Sequence, residues 1–212
     1  MKHSRMMTAA VLVIVFTTAS ASAQLVVDQA ADAGLAGSTG GSNVSNEQAT
    51  LQTFTVGVAG LLSTVEVQAQ RGGSAPSDDL VMTIYGTVGG EPDLGQNLGS
   101  VGVPPSSVPT LDFFNPTFVP FDVSGLGIDV VPGDVLAIGL GYPTGTGRYF
   151  VFDTLDFYAG GEQTVVLLGD AFVPNPGRDF GFRTTVLVPE PSSLALLGLS
   201  GLLVARRRSP SV

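Results

Sequence analysis

The chain has no cysteine and no tryptophan, and its only histidine and only lysine are His3 and Lys2. Removal of the leading segment would leave a polypeptide without thiol, imidazole or amine side chains. That inventory excludes cysteine nucleophiles, Ser-His-Asp triads, zinc sites built on Cys or His, Schiff-base lysines and P-loops. Charge is scarce as well: Asp, Glu, Lys and Arg make up 13% of the 212 residues, about half the share usual in soluble domains. What the chain has in plenty is hydrophobic residues, 44% of the total, with 28 glycines and 14 prolines. Gly and Pro both penalise helix interiors, so this composition favours short strands and many turns.

The two ends are ordered differently from the middle. Lys2, His3 and Arg5 precede the apolar run Ala9–Phe16, and Ala21-Ser22-Ala23 follows. A charged start, a short apolar helix and small residues at a cut site make residues 1–23 a secretory signal peptide. Signal peptidase is the expected partner, with Ala21 and Ala23 at the cleavage site and Gln24 as the first mature residue. At the other end, residues 189–212 begin with Pro189-Glu190-Pro191, continue through Leu194–Ala205 and end in Arg206, Arg207, Arg208 and a short tail. A helix over Leu194–Ala205 would cover about 18 Å, against about 30 Å of hydrocarbon. The expectation is a short transmembrane helix that tethers the chain, with the arginines held on the cytoplasmic side.

This tail resembles the PEP-CTERM sorting signal of Gram-negative bacteria. The likeness rests on Pro189-Glu190-Pro191, the Leu/Gly-rich segment with its small Gly198, Ser200 and Gly201, and the arginine cluster. It implies recognition by an exosortase, a membrane-embedded cysteine transpeptidase-like enzyme, and removal of the tail. The reactive cysteine belongs to that enzyme. The implied route is export, an intermediate tethered in the inner membrane, and then the cell surface or an extracellular matrix containing exopolysaccharide.

Residues 24–188 hold four arginines (71, 148, 178 and 183) against seventeen acids, a net of −13. Such a surface repels nucleic acid and anionic lipid, so neither is an expected partner of the domain. Period-two alternation runs through Gln52–Val58, Thr64–Gln70, Leu80–Val88, Phe118–Val123, Val135–Leu140, Arg148–Phe152, Thr164–Leu168 and Asp179–Leu187. Gly/Pro clusters separate these segments, and no stretch of ten residues carries helical periodicity. The pattern predicts an all-β, antiparallel, jelly-roll-like β-sandwich, flanked by the signal helix and the short C-terminal membrane helix. Residues 28–47, small and polar, are expected to form an irregular loop. The order of segments, from Gln52–Val56 through Leu80–Tyr85, Phe118–Asp122 and Val135–Ile138 to Tyr158–Glu162 and Asp179–Thr184, resembles a β-sandwich module common in secreted bacterial proteins. That resemblance implies fold more than function.

Asp153, Asp156 and Glu162 lie within ten residues of each other. Loop carboxylates are what a structural Ca²⁺ takes, although no EF-hand spacing is present. Asp78-Asp79 is a weaker candidate. No other cofactor is expected. The same acids could form a glycosidase pair, but nothing else marks a catalytic cleft, so the chain is not expected to be an enzyme. Tyr142, Tyr149 and Tyr158 sit in or beside expected loops and could stack on sugar rings, while most phenylalanines are assigned to the core. The resulting expectation is a non-enzymatic exported surface or matrix protein. The alternative is a carbohydrate- or calcium-binding lectin-like module, with a glycoside hydrolase behind both.

Overall fold

Alternating apolar and polar residues, interrupted every few positions by Gly or Pro, bury one face of each segment only when extended chains pair into sheets. The computed structural model describes residues 23–34, 40–72, 76–141, 146–155, 157–167 and 171–189, and Ala23–Pro189 form one unit. Fourteen strands form among the described residues. They begin with β1 (Ala23–Ala31), β2 (Gly40–Val44), β3 (Gln48–Thr55), β4 (Gly60–Arg71), β5 (Leu80–Val88), β6 (Glu91–Val103) and β7 (Phe118–Asp122). They continue with β8 (Asp129–Val130), β9 (Val135–Leu140), β10 (Tyr149–Leu155), β11 (Gln163–Leu167), β12 (Ala171–Pro174), β13 (Arg178–Phe180) and β14 (Phe182–Pro189).

One sheet runs β1-β14-β4-β10-β13, with β2 on β10 and both β7 and β8 on β4; the other runs β12-β11-β3-β9-β5-β6. The strand pairings are antiparallel throughout. Phe54, Met82, Ile84, Ile138 and Leu140 of the second sheet share one core with Val65, Val67, Phe121, Phe182 and Val186 of the first. The Phe54 and Phe182 rings join the layers, their centroids 6.1 Å apart. Each such side chain contributes roughly 1.5–3 kcal/mol on leaving water. The all-β, two-sheet expectation therefore holds, with more strands than the eight of a simple jelly roll.

The ribbon of β4 and β14 opens at Gln68 and Gly181. Up to that point Val67 faces Phe182. Beyond it, β4 passes to β10 through Ala69↔Val151, and β13 passes to β10 through Phe180↔Asp153. One strand thus gathers both arms of the opened ribbon, and this brings β2, β4, β10 and β13 to a single corner.

Two regions depart from expectation. Residues 28–47 are not an irregular loop where described: β1 continues to Ala31 on β14, and Gly40–Val44 pair with β10. Small side chains are what this pairing needs. A Cβ on Gly41 would lie 2.1 Å from the Phe150 ring, so only glycine lets β2 approach β10 there. Glu91–Val103, too polar and glycine-rich to read as a strand, is the outer edge strand β6, paired through Leu80↔Val103. No helix among the described residues is long and apolar enough to cross a membrane. The expected signal and membrane helices fall outside the described residues, apart from Ala23, which opens β1.

Candidate functional site

The Pro-Glu-Pro stretch starts where the sheet stops. Pro189 is the last residue of β14, and Glu190, Pro191, Arg206, Arg207 and Arg208 lie outside the described residues. β14 pairs with β1 in the register Leu187↔Leu25, Val188↔Gln24 and Pro189↔Ala23. The expected first mature residue therefore sits beside the residue that leads into Pro-Glu-Pro. Of the expected signal-peptidase residues, Ala21 lies outside the described residues. Loss of Ala23 would remove only the rung opposite a proline, which has no amide hydrogen to give.

Two of the three acids expected to hold calcium, Asp153 and Glu162, lie among the described residues. Asp153 is buried in the corner, where it accepts from Ser42 Oγ at 2.9 Å and from Arg178 Nη1 at 2.5 Å. Its charge is met by a guanidinium. Glu162 is exposed, and only its backbone is engaged locally, through Thr53 Oγ1 at 2.8 Å. Asp156 lies outside the described residues. No group of three or more His, Cys, Asp or Glu able to hold a metal occurs among the described residues. Asp78, of the weaker pair, offers its backbone carbonyl to Tyr149.

An acid that sequence reasoning missed is better embedded. Asp179 is buried and accepts from Gln52 Nε2 at 2.8 Å and from the amides of Phe157 and Tyr158, both at 3.0 Å. Gln52 also accepts from the amide of Phe180. The signal was an acid set directly against the apolar Phe180 and Phe182, where a charge survives only if fully hydrogen-bonded.

Two of the three tyrosines expected as sugar platforms, Tyr149 and Tyr158, are structural pins. Tyr149 is completely buried, and its hydroxyl donates to the Asp78 carbonyl at 2.5 Å. Burial, aided by the Asp79 carboxylate, pushes its phenol up to about 12. Tyr158, also buried, accepts from the Thr55 amide at 3.2 Å and donates to Gln29 Oε1 at 3.1 Å, with its ring edge-on to Phe182. Burial raises its phenol too. Neither ring presents a face to a ligand, and Tyr142 lies outside the described residues.

Phe172 on β12 is one exposed aromatic among the described residues, and the two most exposed are Phe113 (58% exposed) and Phe114 (93%). Their loop hangs from the end of β4. The Asp112 amide donates to buried Gln70 Oε1 at 2.5 Å, and Gln70 Nε2 donates to the Asn115 carbonyl at 2.9 Å. Asp112 in turn accepts from the Phe114 amide at 2.9 Å and from Asn115 Nδ2 at 2.7 Å, and these bonds hold its carboxyl below the usual range. Phe113 lies edge-on to Phe150 at 5.2 Å and to Phe152 at 6.3 Å. Phe150 shares a cross-strand row with Gln70 and Asn43. Asn43 also lines an open cleft of about 730 Å³ with Ser45, Asn46, Glu47, Gln48 and Arg148.

Residues 187–209 match the PEP-CTERM protein-sorting motif. The match begins two residues before Pro189, so Leu187, Val188 and Pro189 belong both to the signal and to β14. No curated protein matches the chain.

Proposed function

We propose that the chain is a non-enzymatic component of the cell surface or extracellular matrix of a Gram-negative bacterium. In this reading signal peptidase cleaves after Ala23, and an exosortase cleaves the tail of an intermediate tethered in the inner membrane. The PEP-CTERM motif carries the conclusion, since it implies an exosortase-sorted exported protein. The physical chemistry of the tail supports the rest. Both prolines of Pro189-Glu190-Pro191 fix φ and neither donates a hydrogen bond, so the motif stays extended and resists being drawn into a helix. Four residues separate Pro189 from Leu194, the first of the apolar run, and the five steps between the two reach at most about 17 Å. The motif thus occupies a short gap in the chain between the end of β14 and the apolar run.

Glu190 is the one charged side chain in that gap before the apolar run. Glu190→Ala leaves the hydrophobic and basic features intact, so insertion should persist while processing falls sharply. Fractionation and intact mass of the product from exosortase-bearing cells read the two steps separately. Processing equal to the wild type would instead favour a plain membrane anchor.

A further inference from the structure

We propose that the Phe113-Phe114 loop and the amide-lined cleft beside it form a binding site for a neutral polysaccharide. A phenylalanine at 93% exposure is costly to keep in water, and this one is not held loosely. Gln70 and Asp112 fix both sides of the turn, so the ring is presented by a pre-ordered loop and little ordering entropy is lost on contact. Phe113 leans on Phe150, Phe150 sits in one row with Asn43, and Asn43 opens into the cleft. The aromatic pair therefore stands next to a cleft whose lining includes the amides Asn43, Asn46 and Gln48 together with Glu47 and Arg148. Faces for the apolar side of a sugar ring, with donors and acceptors for its hydroxyls next to them, are what a glycan requires.

Size and charge separate this occupant from others. The exposed neighbours of Phe113 and Phe114 along the loop are Asp112, Asn115 and Thr117, so polar residues flank the two rings. A stable protein interface needs about 1,200 Å² or more in total, whereas one sugar ring matches one phenyl face. The domain's net charge of −13 disfavours an acidic polymer and anionic lipid. Position disfavours membrane insertion. The loop hangs at the Arg71 end of β4, where Leu111 N donates to Arg71 O, while the tail leaves beside Leu61, which pairs with Leu187. About 33 Å of strand separates the two points. This last argument rests on the sorting reading; the aromatic and amide geometry does not.

The test is affinity electrophoresis of the full-length chain in mild non-ionic detergent, through gels containing laminarin, dextran or hydroxyethylcellulose, with alginate as the acidic control. The expected result is retardation by at least one neutral polymer and none by alginate. Phe114→Ala should weaken that retardation roughly three- to tenfold, the scale of one stacked ring, with an unchanged melting temperature, and Phe114→Trp should restore it. Absence of retardation by all three neutral polymers overturns the proposal, as does equal retardation of Phe114→Ala. Retardation by alginate alone overturns it as well. So does loss, in Phe114→Ala, of phosphatidylcholine-vesicle binding or of self-association when no glycan retards the wild type. Failure here leaves the Glu190→Ala processing result untouched, so the two readings fall separately.

Discussion

Two groups of aromatic rings flank the strands around β10, and they are built by opposite rules. Phe54, Phe180, Phe182 and Tyr158 lie in the shared core, Phe182 touching each of the other three at 5.0–6.2 Å. Phe113, Phe150 and Phe152 form a chain of edge-on contacts outside that core, capped by a loop instead of a sheet. The inner group is held by both layers of the fold. The outer group depends on one turn and its hydrogen bonds to Gln70. The difference shows how one residue type can serve stability in one place and presentation in another.

The largest expected effect comes from removing the centre of the inner group. Phe182→Ala should cost about 3–5 kcal/mol, read as a lowered denaturation midpoint, because neither sheet can collapse into the space. Phe150→Ala should cost less, about 1.5–3 kcal/mol, since Phe150 is only half-buried and its neighbour Phe113 can move. If both variants lose the same stability, the outer group is as integral as the inner one and the comparison fails. The smallest effect falls on the residue next door, which faces the other way. Tyr149→Phe removes one buried hydrogen bond and should cost about 1 kcal/mol near neutral pH.

Tyr149 also adds a pH dependence. The unfolded phenol ionises near 10.0, while the folded one keeps its proton to about 12. Its contribution is therefore complete below pH 10 and is lost as pH climbs from 10 to 12. Denaturant unfolding at pH 8, 10 and 11 should show a decline in the wild type that is shallower in Tyr149→Phe. Equal slopes would remove Tyr149 as the source.

Tyr149 and Phe150 also show why part of the molecule was legible in sequence and part was not. Leu80–Val88 and Val135–Leu140 matched their observed bounds because turn residues delimit them, Gly89-Gly90 after the first and Pro132-Gly133-Asp134 before the second. β10 buries nearly every residue on both faces, so alternation could not tell which ring was core and which was surface. β2 and β6 were invisible because their backbone pairing, not their side chains, makes them strands. The sorting motif was legible because it is read as a linear string. The Phe113-Phe114 loop was not, because its exposure depends on Gln70, more than forty residues away in sequence.

The pairing of Ala23 with Pro189 also bears on how such a protein can be rebuilt. The polypeptide begins and finishes its sheet at one spot, so a short linker could join the two ends and close the domain into a ring. The β5–β6 hairpin offers a place to reopen it: Gly89 and Gly90 both adopt positive φ in an exposed turn, and a Cβ at either would meet nothing within 4 Å. A circular permutant cut there keeps the pairing of β1 with β14. By the same geometry the sandwich behaves as a cassette. Another domain whose ends meet could occupy its place between the leading and trailing segments without altering the spacing of either.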